Sequence, residues 1–399
     1  MNSRADPGIR IALIVVLAGV AAALHIAKLP PAVPVLQREL GITLVQAGFL
    51  LSLVQLASMG LGIVAGLTGD GIGLRRSMLI GLALLTLAGF AGGFAHTVGV
   101  LLLLRAVEGL GFLMTTVPAP SLIARSVKST QRTRMLGVWG SFMPFGTALA
   151  LLAGPGIMGL IDWNGWWWLI ASVSLAMLFW LARSVPHDPP HFAGGGPAWR
   201  ARLTQTLGAR GPWLAALTFA VYSAQWLSVI GFLPALYQAS GWTGTLGAVL
   251  TATVAGANMI GNILAGRLLA RGVAPRRVLW GAFGAMALGA FLAFASVTEQ
   301  APVLRYGGAL LFSALGGMIP GGLFGLAPRL APSDQTISTT MGWILQWSAI
   351  GQFIGPPVVA WVASQAGNWQ WTWVILGGCS LCGAVLAWAI ERHLKRVAV

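Results

Sequence analysis

The sequence predicts an all-α polytopic membrane protein with twelve transmembrane helices in two pseudo-symmetric six-helix bundles. Three observations predict it. First, 57% of the 399 residues are hydrophobic and only 8% are charged, with a mean hydropathy of +0.81. A soluble domain carries roughly a quarter charged residues, so a soluble enzyme or a nucleic-acid binder is excluded as a class. Second, the apolar residues fall into twelve stretches, each long enough to cross a hydrocarbon core of about 30 Å as helix. Third, the two halves of the chain match each other at a constant shift of 200 residues.

The stretches run approximately over 10–29, 44–67, 77–95, 99–123, 135–158, 165–183, 212–237, 244–268, 277–295, 302–327, 336–363 and 369–391. Most are apolar on every face, as expected where helices meet lipid and their backbone hydrogen bonds close within the segment. Span 1 follows Arg4 and Arg10 and could pass for a signal peptide. It is longer than an h-region of about 7–15 residues and eleven spans follow it, so it reads as a retained helix. Spans 5 and 6 are the hardest to separate, because Trp166, Trp167 and Trp168 blur the interface between them. Between spans 6 and 7, residues 184–211 form the longest polar break, with Pro186, Pro189, Pro190, three consecutive glycines and Pro197. The composition reads as a flexible linker carrying one short helix near 199–207. The expected organisation is therefore a bundle over 1–183, a linker over 184–211 and a second bundle over 212–399.

The 24 Lys and Arg residues against nine Asp and Glu give a formal charge of +15. Twenty of the 24 lie at the termini, in the loops after spans 2, 4, 8 and 10, or in the linker, all on one side of the membrane. Lys28 and Arg38 alone fall on the other side, and Arg105 and Arg305 fall in or beside spans. Positively charged loops stay in the cytoplasm. The charge therefore predicts a multi-pass protein of a bacterial-type cytoplasmic (inner) membrane with both termini cytoplasmic, and attraction to anionic lipid as a side effect.

The repeat aligns Pro34 with Pro234, Gly41 with Gly241, Gly66 with Gly266, Arg76 with Arg276 and Arg105 with Arg305. A duplicated six-helix unit is the architecture of alternating-access carriers, whose substrate sits near the midplane between the halves.

On Gly66, Asp70, Gly73, Arg75 and Arg76 the sequence resembles the major facilitator superfamily, over nearly its whole length. The loop between spans 2 and 3 keeps the family's glycine, aspartate and basic positions but departs at Gly71 and Leu74. The resemblance implies that these five residues form a conformational gate, with Asp70 bracing the N-terminus of span 11 near Ser333 and Asp334. Arg105 through Gly109 fits the family's R-x-x-x-G motif in span 4. In span 5, Gly137, Gly146 and Gly154-Pro155 keep part of an antiporter-type motif, too degenerate to imply antiport. The strings at 34–41, 222–226 and 231–234 resemble the cyanate-permease and nitroimidazole-transport branch, which implies small anions or small polar organics as substrates.

Arg105 is the sharpest candidate, because a cation in a span is costly unless paired or hydrated. It either binds an anionic substrate, tunes a proton site, or ties span 4 to backbone carbonyls of span 1. Glu108 lies one turn away, either as a proton-coupling partner or as a permanent ion pair. His25, the one histidine inside a span, suits proton coupling, unless it sits at the outer surface ahead of Pro30, Pro31 and Pro34. Gln55, Tyr222, Gln225, Trp226, Asn258, Trp343, Gln346 and Trp347 are polar or amphipathic residues at helical spacing that either line a cavity or bond between helices. No nucleotide loop and no metal-ligand cluster is visible, so no cofactor is expected. The expected function is a secondary transporter, proton-coupled, for a small polar or anionic solute, with no nucleic-acid partner and a monomer sufficing. The alternative is a multidrug or nitroimidazole-type proton-antiport exporter. A membrane-embedded enzyme would need a carboxylate or histidine cluster in the outer loops, where Glu39, Asp162 and Glu299 stand far apart in sequence.

Overall fold

The computed structural model describes residues 7–41, 50, 53–55, 58–65, 67, 72–188, 199–239, 242, 244–366 and 368–397. Among them nine helical segments are long and apolar enough to cross a membrane. One of the nine, Ser129–Ser184, carries two predicted spans, because the backbone leaves helical geometry at Ile161 and Asp162, where Asp162 has φ +57°. This turn separates spans 5 and 6. The described residues of span 2 are helical, and span 11 is a continuous helix, so the twelve-helix architecture stands.

We number the helices α1 (Pro7–Ala27), α2 (Leu29–Glu39), α3 (Leu74–Gly92), α4 (Val98–Thr116), α5 (Ala119–Ser126), α6 (Ser129–Trp139), α7 (Phe142–Ser184), α8 (Trp199–Gly208), α9 (Arg210–Ala239), α10 (Gly244–Ala270), α11 (Pro275–Phe294), α12 (Pro302–Gly316), α13 (Met318–Leu330), α14 (Ile337–Ala366) and α15 (Thr372–Val397). Several predicted spans are pairs of helices in tandem. Span 1 runs through α1 into α2, where Pro30 and Pro31 follow Leu29 within the first turn, which tolerates a missing N–H. The prolines therefore do not end the span, and Lys28, expected at the outer surface, is fully buried within the bundle.

The packing repeats between the halves. Helix α3 packs on α4 as α11 packs on α12, at the same 200-residue offset. The halves meet chiefly where α6 and α7 cross α10, and where α6 crosses α13. Small residues make this possible: a Cβ on Gly137 would lie 2.5 Å from the Cα of Gly266. Lipid offers no hydrophobic force to join helices, so such backbone-to-backbone approaches carry the contact through dispersion. Leu87, Leu103, Leu381 and Val385 stand exposed on the outer surface, as lipid-facing residues do.

The crossing at Gly137 and Gly266 lies toward the end of the bundle where α1 begins. At the same end a Cβ on Gly62 would meet the carbonyl oxygen of Gly342 at 2.7 Å, and the Ile63 N–H donates to Gln346 Oε1 at 3.0 Å. Toward the opposite end the halves diverge around a cavity.

Candidate functional site

Two adjoining cavities lie between the halves. The deeper, about 110 Å³, is walled by Phe112, Phe142, Phe219, Tyr222, Asn258 and Ser348, among others. The larger, about 560 Å³, extends toward the end remote from α1's start, past Pro30, Thr147, Ile230, Thr251 and Pro356. Gln55, Met143, Trp226 and Gln352 line both. No charged residue lines either cavity among the described residues; the walls are aromatic and aliphatic, with amides and hydroxyls set into them. Gln55 Nε2 donates to Gln352 Oε1 across the two halves at 2.8 Å, and Gln352 donates to Ser348, which bonds Ser223. Asn258 Nδ2 donates to the Tyr222 hydroxyl at 2.9 Å and to the Ser313 carbonyl at 2.8 Å, and the Trp226 indole donates to the Ser313 hydroxyl. Of the predicted cavity residues, then, Gln55, Tyr222, Trp226 and Asn258 converge here.

The others lie elsewhere. Gln225 turns toward α15, where its amide oxygen accepts from Ser380 at 2.9 Å and its nitrogen bonds the Val221 carbonyl. Trp343 and Trp347 stack edge-to-face on Trp213, with ring centroids 4.8 and 5.7 Å away. Gln346 belongs to the closed end, through its bond to Ile63.

Arg105, Glu108 and His25 meet, but away from the cavity. They form a fully buried cluster inside the N-terminal bundle, and Lys28 completes it. Glu108 is the hub. One carboxylate oxygen accepts from Arg105 Nη1 at 2.6 Å; the other is shared by Lys28 Nζ at 2.5 Å and His25 Nδ1 at 3.0 Å. Arg105 also donates to the His25 carbonyl at 2.7 Å and to that of Leu50 at 3.3 Å, so it ties α4 to the backbone of α1 and of span 2. His25 Nε2 bonds the Ser174 hydroxyl at 2.8 Å, and the Lys28 ammonium lies 4.7 Å from the Trp167 ring centroid. Two cations therefore share one carboxylate where no water reaches them. Lys28, expected on the outer side, is instead buried in this cluster, and its i,i+3 spacing to His25 is the sequence signal for it.

The C-terminal bundle holds an uncharged counterpart. At the 200-residue offset His25 corresponds to Gln225 and Lys28 to Ser228. His25 bonds a serine on the last helix of its bundle, and Gln225 bonds Ser380 on the last helix of its own. The duplicated unit thus keeps the polar contact in both halves, but charge only in the first. Arg305, aligned with Arg105, merely caps the Ala295 carbonyl at 3.2 Å.

At the closed end, Gly66 and Asp70 lie outside the described residues. Gly73 has φ +106°, a conformation that side chains rarely adopt, and starts α3. The first N–H groups of α3, from Arg75 and Arg76, donate to the carboxylate of Asp188 at 3.2 and 3.1 Å, and Arg125 pairs with the same carboxylate at 3.0 Å. Arg75 also donates to the Ala182 carbonyl at 2.7 Å. Asp188 lies in the segment read as flexible linker. It fastens the chain leaving α7 to the helix N-terminus and its positive dipole. The signal that could have found it is a lone carboxylate on a strongly basic face. Asp188→Ala is expected to cost about 1–2 kcal/mol, read as a lowered Tm in detergent. Asp188→Asn should recover part of the loss, because the amide oxygen still accepts from the helix.

The family model described as Major Facilitator Superfamily matches residues 11–347. The puromycin resistance protein pur8 of Streptomyces alboniger is 29% identical over 337 residues, which cover 80% of this chain and 62% of that protein. The chain thus spans less than two thirds of that relative's length. The inner membrane metabolite transport protein YgcS of Escherichia coli (strain K12) is 26% identical over 368 residues, 84% of this chain and 80% of that protein. Among solved structures, the proton:xylose symporter XylE bound to 6-bromo-6-deoxy-D-glucose superposes with a TM-score of 0.77 over 96% of both chains, at 16% identity, a likeness of fold.

Proposed function

Since the chain belongs to the major facilitator superfamily, and is a transporter rather than an enzyme, we propose that it is a proton-coupled secondary carrier working by alternating access. Its solute is a small polar organic molecule with an aromatic or aliphatic part. The bundle over 1–183 and the bundle over 212–399 rock about the cavity, with the linker over 184–211 joining them. With the basic face in the cytoplasm, the described conformation is closed inside and opens outward.

The observation that carries the reading is the uncharged, amide-lined cavity shared by both halves. Gln55 and Gln352 reach each other across it, so a solute that bonds both amides replaces that bridge and couples its own binding to the separation of the halves. The sequence alone favoured an anion held by Arg105. The geometry argues against that, because Arg105 is committed to Glu108 and two backbone carbonyls, and an anion in the cavity would be desolvated without a counter-charge. Resemblance to the cyanate-permease branch supports only the small-solute part of the proposal. Proton coupling is supported by the buried cluster, which pairs a histidine and a lysine with one carboxylate. A second reading, proton-driven drug export, is favoured by the aromatic wall of the cavity, with Met143 set into it, and by similarity to a puromycin resistance protein.

Proteoliposomes carrying an internal pH dye test the proposal. Neutral aromatic amides and short neutral polar organics should trigger proton movement. Asn258→Leu should weaken the response about tenfold, because one buried hydrogen-bonding group is worth about 1–3 kcal/mol. A response confined to small anions, and lost in Arg105→Gln, would overturn the neutral-solute reading. The direction of proton movement relative to solute separates uptake from export.

A further inference from the structure

A second pocket lies far from the cavity, where the first turn of α9 meets the last turns of α15. It encloses about 440 Å³. Arg210, Arg392, His393 and Arg396 line it, over a floor that includes Trp213 and Trp388. The Arg392 guanidinium stacks 4.3 Å from the Trp388 ring centroid, and the Trp213 indole donates to the Leu207 carbonyl at 2.8 Å, holding α8 against the start of α9. Among the described residues no carboxylate lies within ion-pair distance of Arg210, Arg392 or Arg396. The nearest acid in sequence, Glu391, is taken by Lys395 at 2.9 Å and Arg276 at 3.6 Å on another face of α15.

Three features point to one chemistry. Three guanidiniums without a carboxylate partner, where the positive start of α9 meets the last turns of α15, call for a dianionic or monoanionic phosphoryl group. Trp388 is 41% exposed and provides an apolar shelf next to the arginines. The pocket sits at the end of two membrane-spanning helices, at the depth where a headgroup lies and a tryptophan anchors. A free phosphate would use the arginines but leave the tryptophan shelf bare. We propose that this pocket binds the phosphodiester headgroup of an anionic glycerophospholipid, with Arg210, Arg392 and Arg396 holding the phosphate and Trp388 packing against the glycerol and upper acyl chain. The bound lipid bridges the first and last helices of the C-terminal bundle.

Native mass spectrometry of the full chain in detergent tests this, with phosphatidylglycerol, phosphatidylcholine and inorganic phosphate titrated separately. Wild type should retain phosphatidylglycerol through detergent stripping that removes phosphatidylcholine. Each arginine removed should weaken retention about fivefold, so Arg392→Gln/Arg396→Gln should bind about twentyfold less. Arg271→Gln/Arg277→Gln, equally basic but outside the pocket, should bind as wild type. Arg396→Gln alone, at an exposed site, keeps the measurement open if the double variant does not fold. Equal retention in pocket and control variants, equal retention of phosphatidylcholine, or inorganic phosphate binding as tightly as the lipid would each overturn the proposal. So would a fall in Tm of the pocket variants with lipid retention unchanged, which would reduce the arginines to caps of the α15 C-terminus.

Discussion

Glu108→Gln is expected to abolish transport and to cost about 3–5 kcal/mol of stability, because it leaves buried cations without their partner. The wild-type cluster carries two formal positive charges, on Lys28 and Arg105, against one carboxylate, counting His25 as neutral. All four side chains are at most 1% exposed. The glutamine keeps the shape but removes the only negative charge, so the buried excess rises from one to two. A second substitution tests whether charge balance is the cause. Lys28→Met/Glu108→Gln returns the formal excess to one and should recover about 2–3 kcal/mol of the loss, a coupling within the range found for contacting residues. Thermal unfolding in detergent reads the stability and the proteoliposome dye reads the proton. If the double variant folds but moves no protons with solute, the cluster is the coupling element. If it folds and still couples, the cluster serves only to hold α1, α4 and α7 together, and the coupling proton binds elsewhere. If it is no more stable than Glu108→Gln, the carboxylate acts through its specific bonds to His25 and Arg105 rather than through charge.

Arg105 and Glu108 were legible because a charge inside a span contrasts with everything around it, and their i,i+3 spacing put them on one face. The twelve spans were legible for the same reason, since hydropathy is a property of the local string. Lys28 was legible only through its i,i+3 spacing to His25, and Pro30 and Pro31, which look like the end of a helix, hid its burial. Proline is tolerated in a helix's first turn, and α2 begins there, carrying the chain on with the lysine buried. Tyr222 and Gln225 show the limit of spacing arguments. An i,i+3 pair shares a broad face, but a cavity edge can fall between its members, and here Tyr222 lines the cavity while Gln225 bonds Ser380 on the neighbouring helix. Asp188 was hidden by its neighbours, because proline and glycine around it read as linker, and its partners Arg75, Arg76 and Arg125 are about 60 or more residues away in sequence. Local composition reports burial and helix well; it does not report which distant donors a side chain will meet.

Gly137→Ile is expected to stop transport without unfolding the chain. The crossing of α6 with α10 brings Gly137 and Gly266 so close that a Cβ on either falls within 3 Å of the other's Cα. A side chain there cannot be absorbed by a rotamer, since the obstructing atoms are backbone. Neither glycine has the positive φ that would make a substitution strained in itself, so the helices should form and only their approach should fail. Gly62 adds a second point of contact at the same end, against Gly342. In a rocking carrier the end that is closed in one state is open in the other, and the isoleucine is compatible with the open one. The variant should therefore shift toward the conformation open at the α1 end, with an energy that need only reach about 2–3 kcal/mol to leave the described state a minor species. Cysteines placed singly at Ile230 and at Gly342, with Cys379 and Cys382 replaced by serine, report the two ends. Wild type should label faster at Ile230, on the open side, and Gly137→Ile faster at Gly342. Gly137→Ala should show a smaller shift in the same direction, because one methyl group is the least that must be accommodated. Unchanged labelling with full transport in Gly137→Ile would mean that this crossing opens and closes without a close approach, and that the end is sealed by the Gly62 contact instead.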